Sequence, residues 1–207
     1  MNELDLLRLS AAAACEGRPP AHDLSHVERV TALARTIAEA EGARLDVVVP
    51  AALLHELVNL PKGHPDSPRS GDLCAVAADE VLREAGVELV RRNAIVACIR
   101  DHAFSKGATP PSREAAVLQD ADRLDAIGAV GVARCFATCT ELKRPLFAPE
   151  DPFCDERSPD DKAFGLDHFF KKLLLLEAGM HTATARTLAA PRTAFLRAYL
   201  AALRSEL

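Results

Sequence analysis

Apolar residues recur at helical spacing along most of this chain, and no run alternates strongly enough to predict a strand. Hydrophobic residues make up 49% of the sequence but aromatic residues only 4%, so the core must be built largely from Ala, Leu and Val. That mixture favours helices over sheets. At 207 residues the chain is long enough to bury a substantial core. The sequence therefore predicts an all-α protein, folded as an irregular helical bundle.

The periodicity also predicts where the helices lie. They cover approximately residues 3–15, 24–41, 46–59, 70–85, 88–103, 113–139, 161–177 and 180–204. Gly128 and Gly131 are expected to bend the helix at 113–139. The segment 142–161 is expected to be irregular and to cap a pocket. We expect a single domain over 1–207, with its core at about 20–140 and a C-terminal helical extension at about 141–207.

Charge and composition restrict the partners. The formal net charge is −5, so no basic face large enough for a nucleic acid polymer is expected. The N-terminus lacks a basic leader followed by a long apolar segment, and the apolar runs are too short to span a bilayer. The six cysteines form no C-x-x-C pair and are typical of reduced thiols in a cytoplasmic protein. An aliphatic helical surface could pair two copies as a homodimer.

Polar groups interrupt the apolar faces of four predicted helices. They are His26, the adjacent pair His55 and Glu56, His102, and the pair Asp122 and Asp125. A single His on an apolar face is more often a hydrogen-bonded core residue than a ligand, and either Asp could pair with an Arg. The pair His55–Glu56 is harder to explain in this way, because burying two ionisable groups is costly unless they share a partner. A divalent cation would supply that partner, so we predict a metal site.

The pair His55–Glu56 also begins the H-E-x-x-H pattern of zinc proteases. Their second His would stand one turn later, at position 59, where this chain has Asn59. The protease interpretation therefore lacks a required ligand.

Three stretches, "HDLSHVERV", "AALLHELVN" and "LQDADRLDAIGA", resemble the H…HD…D pattern of the HD superfamily of metal-dependent phosphohydrolases. The similarity spans roughly residues 20–204 and is greatest to a bacterial branch typified by the YedJ-like proteins. The pattern matches His26, the doublet His55–Glu56, and Asp122. One residue departs from it, because the family doublet is His-Asp. Glu reaches about 1.5 Å further than Asp, and a misplacement of about 1 Å can cost about 100-fold in rate.

The resemblance implies the roles of the individual residues. His26, His55, Glu56 and Asp122 would bind a divalent metal ion. This mixed set of nitrogen and oxygen donors suits Mn, Fe, Ni, Co or Zn, with Mg also considered. His102 would bind phosphate, donate a proton to the leaving group or complete the metal shell, and Asp125 would orient a ligand His. Phosphate contacts are expected from Lys62, Lys106 and Arg123, although each could instead be a solvated surface residue.

The implied activity is hydrolysis of a small phosphorylated substrate, with a nucleotide as the leading candidate. In its most specific form, a nucleoside triphosphate is cleaved to the monophosphate and pyrophosphate. Two alternatives stay open. Glu56 could leave a catalytically impaired HD-fold binding protein. A di-iron oxygenase on the same scaffold would need further His ligands, for which His64 and His102 are the candidates.

Overall fold

The computed structural model describes residues 2–60 and 64–207, which contain helices and no strand. The α-helices are α1 Glu3–Cys15, α2 Leu24–Glu41, α3 Leu45–Leu54, α4 Ser70–Glu84, α5 Leu89–Arg100, α6 Arg113–Asp125, α7 Gly128–Glu141, α8 Asp167–Lys171 and α9 Ala183–Glu206. Short 3₁₀ turns lie at Ser67–Arg69, Phe104–Lys106, Leu173–Leu175 and Glu177–Gly179. The predicted all-α class is confirmed.

Three of the predicted helices differ most in extent from those of the structure. The helix predicted at 46–59 ends at Leu54, and the one predicted at 161–177 is the five-residue α8 followed by two 3₁₀ turns. The helix predicted at 113–139 is not bent but divided into α6 and α7. Gly128 has a φ of +79° at the start of α7, and a Cβ on Gly131 would lie 2.2 Å from the carbonyl oxygen of Ala126. These glycines therefore permit a sharp turn that ends one helix and begins the next.

The chain divides into two compact units. The first contains the described residues through Arg18 together with His22–Asp122. Within it, α3 contacts α1, α2 and α5, and α4 packs along α5. Every residue of α3 from Val47 to Leu54 is buried, which explains why this helix is apolar on all sides.

The second unit contains Pro19–Ala21 and Arg123–Leu207. In it α7 packs against α9, and three aromatic rings (Phe136, Phe169 and Tyr199) lie with their centroids 5.8–6.1 Å apart. The segment 142–161 has no regular secondary structure, as expected from its prolines. That this segment caps a pocket stays a prediction. So does the division of a single domain into a core at about 20–140 and a C-terminal extension at about 141–207.

All six cysteines have free thiols. None of the helices in the described part of the chain combines the length and the hydropathy needed to cross a bilayer.

Gly71 marks a close approach between α4 and α5. A Cβ at this position would lie 2.4 Å from the carbonyl oxygen of Arg100. We expect Gly71→Ala to push the two helices apart and to lower the free energy of unfolding by about 1–3 kcal/mol, as overpacking does elsewhere. Urea denaturation followed by far-UV circular dichroism measures the change. Gly179→Ala is the matched control, because its Cβ would meet no atom closer than 4.0 Å; equal losses in the two variants would contradict the prediction.

Candidate metal centre

Three helices of the first unit carry the predicted ligands. His26 lies in the first turn of α2, where the side chain of the N-cap residue Asp23 accepts a hydrogen bond from the His26 main-chain N–H at 3.1 Å. His55 and Glu56 follow the last residue of α3, and Asp122 lies on α6. His26 and His55 are buried, whereas the Asp122 side chain is 24% exposed. Residues far apart along the chain are thus brought together at one place.

The distances between these side chains are compatible with a shared cation. The Nε2 atom of His26 lies 3.3 Å from Nε2 of His55, 3.7 Å from Oδ1 of Asp122 and 3.9 Å from Oε1 of Glu56. Two ligands bound at about 2.1 Å to one ion lie about 3.0 Å apart at a right angle and about 4.2 Å apart when opposite. All three distances fall within that range. The imidazole and carboxylate donors therefore fit a divalent ion of the transition series.

Within the described residues, two overlapping groups of side chains could each hold a metal ion. One is His26, His55 and Asp122, and the other is His22, His26 and Glu56. In each group, one ligand atom per residue lies within 4.8 Å of the others. The two groups share His26, so the four predicted ligands and His22 form one continuous cluster.

The end of α3 corrects the predicted placement of the doublet. His55 and Glu56 were expected in the middle of a helix, but His55 is the C-cap residue. The last carbonyl groups of a helix lack intrahelical donors, and here side chains supply them. His55 Nδ1 donates to the Ala52 carbonyl at 2.6 Å, and the Cys74 thiol donates to the carbonyls of Leu54 and His55 at 3.3 and 3.1 Å.

The cap also fixes the chemistry of His55. Because Nδ1 donates its proton to a carbonyl, Nε2 carries the lone pair and is directed at His26. Burial lowers the pKa of His55 to about 4. The ring is therefore neutral at neutral pH, which is the form that binds a metal ion.

Glu56 is held by residues on both sides of it. Its Oε2 accepts a hydrogen bond from Asn59 Nδ2 at 2.6 Å and lies 3.5 Å from Arg18 Nη1. The same guanidinium donates to the main-chain carbonyls of Glu56 and Leu57. Arg18 and Asn59 therefore orient the carboxylate so that Oε1 points toward the imidazoles.

The carboxylate of Glu56 stays ionised in this environment. Burial by itself would raise the pKa of Glu56, but the neighbouring imidazoles, His22 foremost, outweigh burial and hold the pKa well below its usual range. An ionised carboxylate beside the neutral ring of His55 is a charge pattern that attracts a cation.

His102 lies beside the cluster. It was predicted within a helix over 88–103, but α5 ends at Arg100 and His102 follows it. Its Nδ1 donates to the Ile99 carbonyl at 2.6 Å, which repeats the arrangement of His55. The rings of His102 and His55 meet edge to face, with centroids 5.3 Å apart. His102 is therefore a fixed imidazole next to the predicted ligands.

The cationic residues predicted to bind phosphate have other contacts. Lys106 Nζ lies 3.0 Å from a carboxylate oxygen of Asp72 and 2.8 Å from one of Asp101. Lys62 lies outside the described residues. The roles of both lysines stay predictions.

Arg123 and Asp125 belong to the second compact unit. Arg123 Nη1 donates to the Gly179 carbonyl at 2.6 Å, and Asp125 forms a buried ion pair with Arg134 at 2.9 Å. The proton on Nδ1 of His55 is oriented by the backbone of α3 and does not need Asp125. Phosphate binding by Arg123 and the orientation of a ligand His by Asp125 stay predictions.

Sequence reasoning missed His22, Arg18 and Asn59. His22 lies four residues before His26, a spacing visible in "HDLSH", but it precedes α2 and was assigned to a loop. Asn59 was used only to exclude a zinc protease. No local signal in the sequence indicates that Arg18 reaches the residues after α3.

Comparison with known proteins gives the class. The HD domain family model matches residues 23–127, a range that includes His26, His55, Glu56 and Asp122. The chain belongs to the HD domain family, as the resemblance implied. It is 36% identical over 190 residues to the uncharacterized protein YpgQ of Bacillus subtilis, covering 90% of this chain and 84% of the relative.

Solved structures agree with this assignment. The crystal structure of Bacillus subtilis YpgQ in complex with ADP has a TM-score of 0.77 and 32% identity, over 99% of this chain and 97% of YpgQ. An HD-superfamily hydrolase from Bacillus thuringiensis has a TM-score of 0.74 and 26% identity, over 98% of this chain and 95% of that one. The chain therefore has the fold of HD-superfamily hydrolases.

Proposed function

We propose that this protein is a metal-dependent phosphohydrolase acting on a nucleotide, and specifically one that cleaves a nucleoside triphosphate to the monophosphate and pyrophosphate. The observation that carries the proposal is the approach of His26, His55 and Asp122, whose ligand atoms lie within 4.8 Å of one another. Family membership and the hydrolase relative support the reaction class. The ADP bound to Bacillus subtilis YpgQ supports a nucleotide as substrate.

In this proposal His26, His55, Glu56 and Asp122 would hold the metal ion, which is Mn, Fe, Ni, Co, Zn or Mg. A divalent ion bound there lowers the pKa of water and withdraws charge from phosphoryl oxygens. The protein contributes fixed geometry. The carbonyl of Ala52 holds the ring of His55, and Asn59 holds one oxygen of Glu56.

His102 is proposed to act on the substrate. Its Nδ1 donates to the Ile99 carbonyl, so Nε2 is the atom that would face the substrate, and the protonated ring would donate from Nε2 to a phosphate oxygen or to the leaving group. We retain Asp125 as a proposed orienting residue, and Lys62, Lys106 and Arg123 as proposed phosphate contacts. Lys106 would have to exchange at least one carboxylate partner for phosphate, because both Asp72 and Asp101 contact its Nζ.

Glu56 is the basis of the main competing function, a binding protein without catalysis. The test compares the unmodified protein with Glu56→Asp, using a panel of nucleoside di- and triphosphates with Mn. We expect the unmodified protein to hydrolyse at least one triphosphate. We expect Glu56→Asp to lower the rate by on the order of 100-fold, because the shorter side chain withdraws the carboxylate from the cluster by about 1.5 Å.

Release of pyrophosphate and monophosphate, measured by chromatography, is the readout. Hydrolysis seen only in Glu56→Asp would contradict the proposal and favour the binding protein. The oxygenase alternative gains no support from His64, which lies in neither metal-capable group of the described residues and has a side chain that is 41% exposed. Two irons per chain with oxygen-dependent turnover would overturn that judgement.

A further inference from the structure

We propose that His22 is an additional ligand of the metal centre, recruited by the Glu that replaces Asp in the family doublet. The proposal deepens the proposed function and rests on it only in requiring that an ion binds at the cluster. Neither the family pattern nor the sequence analysis assigns a role to His22.

The first observation is the state of the His22 ring. Its Nδ1 atom is buried and has no hydrogen-bond partner within the described structure, although the side chain as a whole is 32% exposed. A buried nitrogen without a partner is unfavourable unless something else satisfies it. The outer edge of the ring reaches solvent while Nδ1 faces inward, so the ring stands at the rim of the cluster.

The second observation is the position of Nδ1. It lies 3.6 Å from Oε1 of Glu56, too far for a hydrogen bond but within the range of about 3.0–4.2 Å expected for two ligands of one ion. The His22 and His26 rings are nearly perpendicular, with centroids 5.9 Å apart. His22, His26 and Glu56 already form one of the two metal-capable groups.

The third observation explains why Glu56 matters. Asn59 donates to its Oε2 and Arg18 lies close to the same oxygen, and Oε1 then lies 3.6 Å from Nδ1 of His22 and 3.9 Å from Nε2 of His26. An Asp at this position would end about 1.5 Å short of that point. The carboxylate would then be further from His22, and the two residues would no longer share an ion.

His22 could instead only position Glu56 without touching the ion, and the experiment must separate these roles. Electron spin-echo envelope modulation of protein-bound Mn(II) counts imidazole nitrogens directly. We expect three in the unmodified protein, from His22, His26 and His55, and two in His22→Ala and in His22→Gln.

We also expect the affinity for Mn to fall by about 100-fold in both variants, measured by calorimetric titration. His168→Ala, in which the lost ring pairs with Asp161, is the matched control and should retain three nitrogens.

A second arm tests the dependence on Glu56. In a Glu56→Asp background, His22→Ala should change the Mn affinity by less than about 3-fold, because His22 no longer reaches the ion. Three nitrogens in His22→Ala, or two in the unmodified protein, would overturn the proposal even if hydrolysis is observed. Three nitrogens falling to two without any hydrolysis would support it while the proposed reaction fails. Circular dichroism of each variant establishes that it is folded.

Discussion

Replacing His55 with Ala should abolish stoichiometric binding of divalent metal and lower the rate of nucleotide hydrolysis by on the order of 1,000-fold. Changes to residues that merely support a ligand typically cost 10–100-fold, and His55 is itself a proposed ligand. Its Nε2 lies 3.3 Å from Nε2 of His26, and its ring contacts both His26 and His102. His55 belongs to the group of His26, His55 and Asp122, so its loss leaves that group one ligand short.

Calorimetric titration with Mn and a pyrophosphate-release assay measure the two effects. His168→Ala is the control, because it removes an imidazole that lies outside the cluster and pairs with Asp161. His55→Ala also removes a donor to the Ala52 carbonyl, so a urea unfolding curve must accompany the assays to show that the variant is folded. A folded His55→Ala protein that binds one Mn per chain with unchanged affinity would contradict the metal centre.

Much of the fold was predictable because its signals are local. Helix α2 begins and ends where it was predicted, since Asp23 caps its first turn and Gly42 adopts a φ of +66° after its last. Both residues are visible in the sequence within one turn of the helix that they delimit. The apolar periodicity of the residues between them predicted that this stretch is helical.

The ends of α3 and α5 were not predictable from local signals. The sequence after Leu54 continues with Leu57 and Val58, which fit a helix as well as a turn. The chain at the end of α3 is held by side chains from other parts of the sequence: Cys74 binds the carbonyls of Leu54 and His55, and Arg18 binds those of Glu56 and Leu57, just after the helix. Such contacts exist only after the helices have packed.

The same distinction applies to the candidate site. His26, His55 and Asp122 could be proposed because each ends an apolar stripe, and the resemblance then grouped them. His22 could not, because its connection to the cluster depends on the length of the Glu56 side chain and on how that side chain is held. The contact of Lys106 with Asp72 was equally hidden, since Asp72 is 34 residues away in the sequence.

Asp167→Ala should lower the free energy of unfolding of the second unit by about 3–5 kcal/mol. The Asp167 carboxylate is fully buried. It forms two hydrogen bonds with the Arg157 guanidinium, at 2.6 and 2.7 Å, and accepts a third from the Asp160 main-chain N–H at 2.6 Å. Removing it leaves the guanidinium without its anion and removes one of the attachments between the irregular segment 142–161 and α8, the pair of His168 with Asp161 being another. Urea denaturation followed by circular dichroism measures the loss.

The pH dependence of this loss has a definite sign. Burial would raise the pKa of Asp167, but the bonds from Arg157 and Asp160 outweigh burial and lower the pKa below its usual range. A carboxyl whose pKa is lowered in the folded state stabilises the fold fully at pH values above its unfolded-state pKa of about 3.9. This contribution is lost as the pH falls through the folded-state pKa. The stability gap between the unmodified protein and Asp167→Asn should therefore be constant above about pH 5 and narrow below pH 4.

Asp155→Ala is the matched control, because the Asp155–Arg204 pair has the same two-bond geometry but is exposed to solvent. We expect no measurable shift of its urea midpoint, since water and salt screen an exposed pair. Equal midpoints for Asp155→Ala and Asp167→Ala would mean that burial adds nothing to the Asp167 bonds and that another contact anchors the irregular segment.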